Sequence, residues 1–465
     1  MQNATCPPPA PTVGFNLLRI AAVRRLVLWA GFPSVLQGVV LAIFVMLAVI
    51  GWGHLTPPGV NTKLYAKTNV VNLVIWGLWW PAIIWVTVLL GRAWCMVCPL
   101  ELVSSSAERA GRRLGLRQRP LASWLAKGSL ALCLFAMLQM LVPGVQIHRM
   151  PHYTSVFLWT SLAVAVIVGL FARDRAFCRG FCPVSLLLNA YGRGGMLAVR
   201  ASGQGAARGC ERSVHHCASL LNPAKLDSNR DCLVCGGCVK AGGADDMQLL
   251  WRSPFSAADL REPVASWPLT LFVMLVSGFV TFELCGVWKA AEPLFLWAPK
   301  QVAAALNAGA AAGWIQGAWT VLVVPMLLWL VLGLVTRATG GAASLGEAWR
   351  RLALPTAVIV AAGHMAKGLE KFTSWAGFLP GALREPTGVN TAIQMNAKAT
   401  AQPAAWLSLP TLSLVAMLLM AVALWLAIRE ARLADPAGFR RRIPAIVLLG
   451  AVYLLLVFGW GGWLA

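Results

Sequence analysis

Nine apolar runs stand out along the chain, separated by basic, polar and glycine- or proline-containing connections. They are Val35–Trp52, Val71–Leu90, Trp124–Val142, Thr154–Ala172, Trp267–Gly286, Gln316–Val335, Pro355–Leu379, Trp406–Ala427 and Pro444–Trp463. A helix needs ~20 predominantly apolar residues to cross the ~30 Å hydrocarbon core. The pattern therefore predicts an all-α polytopic membrane protein of about nine transmembrane helices. The seventh run is the weakest, because His364, Lys367, Glu370 and Lys371 interrupt it. It is retained because nine spans make the charges of the connections consistent. Between the second and third runs, residues 101–120 (ELVSSSAERAGRRLGLRQRP) predict a short basic helix lying on the membrane surface.

One connection, residues 183–266, is long enough for a small folded domain. It is rich in glycine, shows little apolar periodicity and holds five cysteines. So short a segment with so few apolar residues would not bury enough surface to fold unaided, and a cofactor would supply the missing core. The division expected is a basic tail over 1–34, a four-helix membrane module over 35–182, a cytoplasmic cysteine-bearing segment over 183–266, and a five-helix membrane module of unknown role over 267–465. The first four spans read as a repeat of two outward–inward pairs, each ending in an arginine, an aromatic residue and a cysteine pair before proline.

Composition agrees with the pattern. Hydrophobic residues make up 58% of the 465 and charged residues 12%, where a soluble domain carries about 25% charged residues. A formal charge of +22 would suggest nucleic acid in a soluble protein, but the positive-inside rule accounts for it more simply. With the N-terminus in the cytoplasm, 30 of the 39 Lys and Arg fall on the cytoplasmic side. The orientation expected is N-terminus cytoplasmic and C-terminus periplasmic in a cell's inner membrane, with no nucleic-acid partner. Residues 1–11 are polar and proline-rich, unlike a signal peptide. The 22 tryptophans read as interfacial anchors, as at Trp76, Trp79 and Trp80.

The 12 cysteines change the picture most. Cys95-x2-Cys98-Pro99 closes the second span (GRAWCMVCPLE), and Cys178-x3-Cys182-Pro183 closes the fourth (RDRAFCRGFCPVS). Cys210 and Cys217 follow, then Cys232-x2-Cys235-x2-Cys238 (DCLVCGGCVKA). Cys6, Cys133 and Cys285 stand alone and read as inert. The grouped cysteines are expected on the reducing side of the membrane, where disulfides are rare, which leaves metal. Zinc favours separated pairs, whereas three cysteines at x2-x2 spacing are the core of ferredoxin cluster binding. Such a compact loop wraps a cube of iron and sulfide, with each thiolate reaching a different corner.

The paired motifs GRAWCMVCP and DRAFCRGFCP, with the CxxCxxC run after them, resemble the NapH/NosR-type membrane-bound ferredoxins over residues 70–250. The resemblance implies 4Fe–4S clusters and electron transfer linked to the quinone pool, or to a membrane flavin in some members. Two features depart from that group. The first pair is spaced x2 rather than x3, and Gly242 and Gly243 stand where a fourth cysteine and a proline would follow the run. In two-cluster ferredoxins that fourth cysteine serves the other cluster, so this loop is expected to hold one. Cys232, Cys235 and Cys238 then need a remote ligand: Cys217 first, Cys210 as the alternative, His215 or His216 after them. A second 4Fe–4S cluster is expected on Cys95, Cys98, Cys178 and Cys182, with Arg92, Arg175 and Arg179 offsetting its charge.

Among the histidines, His54, His148 and His152 fall at the outer ends of spans one, three and four, as candidate haem, copper or quinol ligands. His364, Lys367 and Glu370 share one helix face inside the seventh span. Ionisable groups within a membrane are costly and commonly functional, so these three are candidates for a quinone site, a haem b ligand or a proton path. Both clusters are expected on one face of a ~30 Å core, too wide for a single electron hop. A mobile quinone or a mid-membrane relay is therefore required.

The reading is a membrane-bound iron–sulfur electron-transfer protein, at most a quinol-linked oxidoreductase subunit. It would pass electrons between quinol or a cytoplasmic donor and a partner oxidoreductase. The alternatives are a metal-reducing assembly factor for a respiratory enzyme, in which His148, Met150 and His152 hold a transient metal, and a transporter with a vestigial cluster loop.

Overall fold

The computed structural model describes residues 14–202, 217, 221–223, 226, 228–242, 246–253 and 261–463. The chain is predominantly helical, and among the described residues seven helices are long and apolar enough to cross a membrane. They are Val70–Leu90, Pro151–Phe171, Trp267–Cys285, Gly309–Ala338, Leu345–Arg384, Leu409–Ala434 and Phe439–Gly459. The other two expected spans are apolar helices of 17 and 16 residues, Ser34–Ile50 and Ser129–Gly144. At 1.5 Å per residue these two are about 25 Å long. The helices divide into two compact units.

The first unit comprises Met1–Phe44, Val86–Ala131 and Ser161–Leu260. Its centre is a three-stranded antiparallel sheet of β1 (Phe15–Asn16), β2 (Leu197–Ala201) and β3 (Met247–Trp251), in the order β1-β3-β2. Phe15 pairs with Trp251 at one edge, and Val199 with Leu249 in the β2–β3 ladder. The residues expected as a basic tail thus contribute a strand to the sheet of Leu197–Ala201 and Met247–Trp251. Leu18, Val27 and Phe32 join Val199, Val234, Val239, Met247 and Leu249 in one buried core. Described residues of the segment 183–266 thus share one core with residues of the N-terminal region.

The surface helix expected near 101–120 is Pro99–Arg113. Its buried face (Glu101, Ser104, Ala107, Gly111) repeats at helical spacing. That face lies on the end of the helix Pro151–Phe171: a Cβ on Gly169 would meet the Ser104 carbonyl at 2.4 Å, and one on Gly111 the Leu170 carbonyl at 2.6 Å. Small residues permit this approach, and it ties the helix to the protein as well as to any membrane surface.

The second unit comprises Val45–Trp85, Leu132–Thr160 and Arg261–Ala465. Its most enclosed element is the helix Leu345–Trp375, 31 residues long. It begins ten residues ahead of the expected seventh span, where the Ser344 side chain caps the Glu347 N–H and Glu347 accepts from the Ala343 N–H. The apolar window of this segment is 89% buried, against 33% for Gly309–Ala338 and 39% for Leu409–Ala434. That enclosure explains how one helix carries His364, Lys367, Glu370 and Lys371: it faces protein, not lipid. Around it, Trp329 donates to Ser277 at 3.0 Å and Tyr453 to the Ser277 carbonyl at 2.9 Å, satisfying polar atoms that have no water to turn to.

Candidate metal centre

Each Cys-Pro motif is built by backbone rules. Gly91, at φ +71°, ends the second span, and Asp174 and Arg175, at φ +67° and +52°, follow the fourth. Proline forces the residue before it into an extended conformation. Accordingly Cys98 lies at φ −65°, ψ 126° and Cys182 at φ −72°, ψ 114°. Pro99 then opens the helix Pro99–Arg113, and Pro183 precedes the helix Ser185–Gly192.

The two motifs differ by one residue, and the structure absorbs that residue locally. The first pair lies on a short α-helix, Ala93–Val97. The second lies on a π-helical turn, Phe177–Phe181, closed by the Cys182 N–H donating to the Phe177 carbonyl at 2.8 Å. A π-turn accommodates one extra residue without breaking the helix. The x2 and x3 spacings thereby both leave an extended Cys-Pro at a helix end.

Cys95, Cys98, Cys178 and Cys182 come together. Burial pushes the Cys98 thiol up, and negative charge on Cys95 and Cys182 pushes it further, against the N–H groups of Leu100 and Glu101. Burial likewise raises Cys178, with Cys98 and Glu101 adding to the shift and Arg175 opposing it. Cys182 is pushed up to about 12 by burial and then by Cys178 and Cys95. Cys98, Cys178 and Cys182 each feel Cys95 and at least one other of the group, so the four sulfurs form one electrostatic site. Arg92 stands beside Cys95 and within influence of Cys182; it donates to the Arg230 carbonyl at 2.9 Å. Arg175 pairs with Glu101 at 2.8 Å, and Gln37 donates to the same carboxylate. Arg92 Nε and Arg175 Nη1 are buried without a hydrogen-bond partner. Arg179 is exposed and lines a cavity shared with Arg92, Arg175 and Cys178.

The second group is Cys217, Cys232, Cys235 and Cys238, which line a single cavity with Val199, Val234 and Gly236. Val234 at φ +55° and Gly236 at φ +72° fold the run into a tight loop. Left-handed valine is unusual, and the N–H groups of Val234 and Gly237 bear on the Cys232 and Cys235 sulfurs. Burial pushes Cys232 up to about 11, and burial with Cys232, Cys235 and Cys217 pushes Cys238 up to about 12. Buried Asn229 anchors the loop by donating to the Leu197 carbonyl at 2.9 Å. Cys210, His215 and His216 lie outside the described residues, as does Gly243.

The two groups are neighbours. Met96, between Cys95 and Cys98, packs against the core that contains Cys232, as Cys238 also does. The Cys235 thiol feels both Arg175 and Glu101. Among the described residues, no three His, Cys, Asp or Glu side chains are close enough to hold one metal ion. Two all-cysteine groups, the first beside Arg92 and Arg175, supply the donor type that iron–sulfur clusters use.

The remaining expected site residues lie in the second unit and are distributed differently. The His152 N–H donates to the His54 carbonyl at 3.0 Å, and the Gly53 N–H donates to His152 Nδ1 at 3.1 Å. His148 lines a cavity with His364 and Lys367 instead. The Met150 sulfur accepts from Thr56 at 3.2 Å. Lys367 and Glu370 form an ion pair at 2.7 Å. His364 is buried, with its ring 6.4 Å from that of Trp80 and 5.7 Å from that of Phe279. Sequence reasoning missed Glu101 as the partner of Arg175. The available signal was an acid in the first turn after Cys-Pro, where the helix dipole favours it.

Comparison with protein families matches two stretches, 72–117 and 155–200, to a model described as a 4Fe-4S binding domain. The two stretches are offset by the same number of residues as Cys95 from Cys178 and Arg92 from Arg175, so the two Cys-Pro modules are copies of one unit. Comparison with curated proteins and with solved structures finds no match. In these two stretches the chain is therefore similar to 4Fe–4S binding domains, and iron–sulfur electron transfer is the chemistry that similarity suggests.

Proposed function

We propose that the protein is a membrane-bound iron–sulfur electron-transfer protein with two 4Fe–4S sites. Cys95, Cys98, Cys178 and Cys182 would hold one, and Cys217, Cys232, Cys235 and Cys238 the other. The observation that carries this reading is the sorting of eight cysteines into two neighbouring groups of four within one compact unit. Such groups supply one-electron transfer at potentials tuned by net charge and by hydrogen bonds to sulfur. Here Arg92 and Arg175 place positive charge beside the helix-end thiolates, which favours the reduced state. The N–H groups of Leu100, Glu101 and Val184 bear on the same sulfurs. Core packing around Met96 keeps the two groups adjacent, so an electron entering at one has a short path to the other.

The physiological exchange is with quinol or a soluble donor on one side and a partner oxidoreductase on the other. This is supported by the resemblance of the motifs to membrane-bound ferredoxins and by the two stretches similar to 4Fe–4S binding domains. The test is spectroscopic. Purified full-length protein should be brown, and dithionite reduction should bleach its visible absorption and produce two low-temperature paramagnetic signals. Cys217→Ser should remove one signal and Cys95→Ser the other. A colourless, iron-free preparation would overturn the reading.

A further inference from the structure

The second unit holds two adjoining cavities, with Val142, His148, Glu283, Lys367 and Lys371 in both walls, that together make a chamber the iron–sulfur reading does not use. It runs along the helix Leu345–Trp375 from His364 to Trp375, roughly 16 Å at 1.5 Å per residue. Lys367 and Lys371 face it along its whole length, since both line its deep part and its wide part. The wide part, about 370 Å³, adds Lys63, Lys67 and Arg149. Three carboxylates, Glu283, Glu292 and Glu370, share these walls, leaving five cationic side chains against three anionic ones.

The carboxylates are not spread to match. Glu370 is committed to Lys367 at 2.7 Å. Among the described residues Lys371 and Arg149 have no carboxylate within ion-pair distance. Lys371 stands over the Trp375 ring at 5.1 Å instead. Removing cations from bulk water without partners is costly, and chamber walls with surplus cations attract anions. The deep part also contains hydrogen-bonding atoms with nothing to bond. Gln139, 4% exposed, has an unpartnered Oε1, and His148 Nδ1 is buried and unpartnered. Rotation of an amide or a change of imidazole tautomer exchanges acceptor for donor, so both groups can donate. Trp76 closes one wall from a π-helical stretch, Leu73–Trp79, a backbone feature frequent at functional sites.

From these observations we infer that the chamber binds a small oxygen-bearing anion, an inorganic oxyanion or a short carboxylate, at Lys371 and Arg149 with Gln139 and His148 as additional donors. The site stands independently of the cysteine groups. Its test is titration calorimetry on the full-length protein in detergent, with potassium nitrate in one arm and sodium acetate in the other, and with iron content measured on every sample. Wild type should give saturable binding of at least one anion, and the arm that binds identifies the class. Lys371→Gln should weaken it at least roughly tenfold, the loss of one charge-assisted hydrogen bond. Arg149→Gln should act in the same direction, and Lys371→Arg should retain binding. Lys289→Gln, an exposed cation not lining the chamber, should leave it unchanged. Absence of saturable heat with both anions, or unchanged binding in both Lys371→Gln and Arg149→Gln at normal iron content, would overturn the proposal. Loss of iron with binding intact would strike at the cluster reading alone.

Discussion

The helix-end cysteines and the loop cysteines are two solutions to gathering four thiols, and they depend on the protein to different degrees. At the helix ends, proline geometry, a π-turn, packing of Ala176 and Phe177, and the Arg175–Glu101 pair set the positions. That scaffold is made of the protein's own backbone and side-chain contacts. The loop run has a small shared core, one anchoring asparagine and two left-handed residues. There the bound group is expected to contribute much of the order, as metals do in small domains. A preformed site tolerates loss of its metal, whereas a site shaped by its metal does not.

The largest expected effect breaks the comparison directly. Cys98→Ser and Cys235→Ser should each remove about four of about eight irons. Protease sensitivity should separate them: Cys235→Ser opens the 228–242 region to cleavage, while Cys98→Ser leaves the helix ends protected. Equal protection in both variants would show that the loop needs its metal no more than the helices do. Next comes Arg175→Gln. It leaves Glu101, 6% exposed, without its cation at a cost of about 3 kcal/mol, seen as a lower thermal midpoint and restored in part by adding Glu101→Gln.

A smaller effect is expected at Gly195, where a Cβ would meet the Gly91 nitrogen at 2.3 Å. Both sides of that contact are backbone, so Gly195→Ala should cost about 2 kcal/mol and disturb Arg92 and Cys95 ahead of the loop site. The smallest belongs to the second unit. Ser344→Ala removes a helix cap at about 1 kcal/mol and should leave both iron sites untouched, which a change in iron content would contradict.

The readable parts of the molecule were those whose chemistry is local. Cysteine spacing, Cys-Pro and long apolar runs announce themselves because thiolate reach, proline sterics and bilayer thickness act over a few residues or one helix. Cys217 was readable as a ligand candidate from its position, and its place in the cavity came from the loop's fold. Long-range choices were not readable. Nothing near Phe15 signals pairing with Trp251, and a one-residue difference between x2 and x3 spacing does not say whether a loop or a π-turn absorbs it. His148 looked like a companion of His54 and His152 at outer helix ends. Its ring belongs with His364 because helix rotation, set by packing, decides which way an end residue turns.

The central claim is that eight cysteines hold two cubes. Iron and acid-labile sulfide per chain, measured on protein purified without oxygen, address it with one number each. The account predicts about eight of both. Stoichiometric zinc with no labile sulfide would contradict it, as would about four irons unaffected by Cys217→Ser.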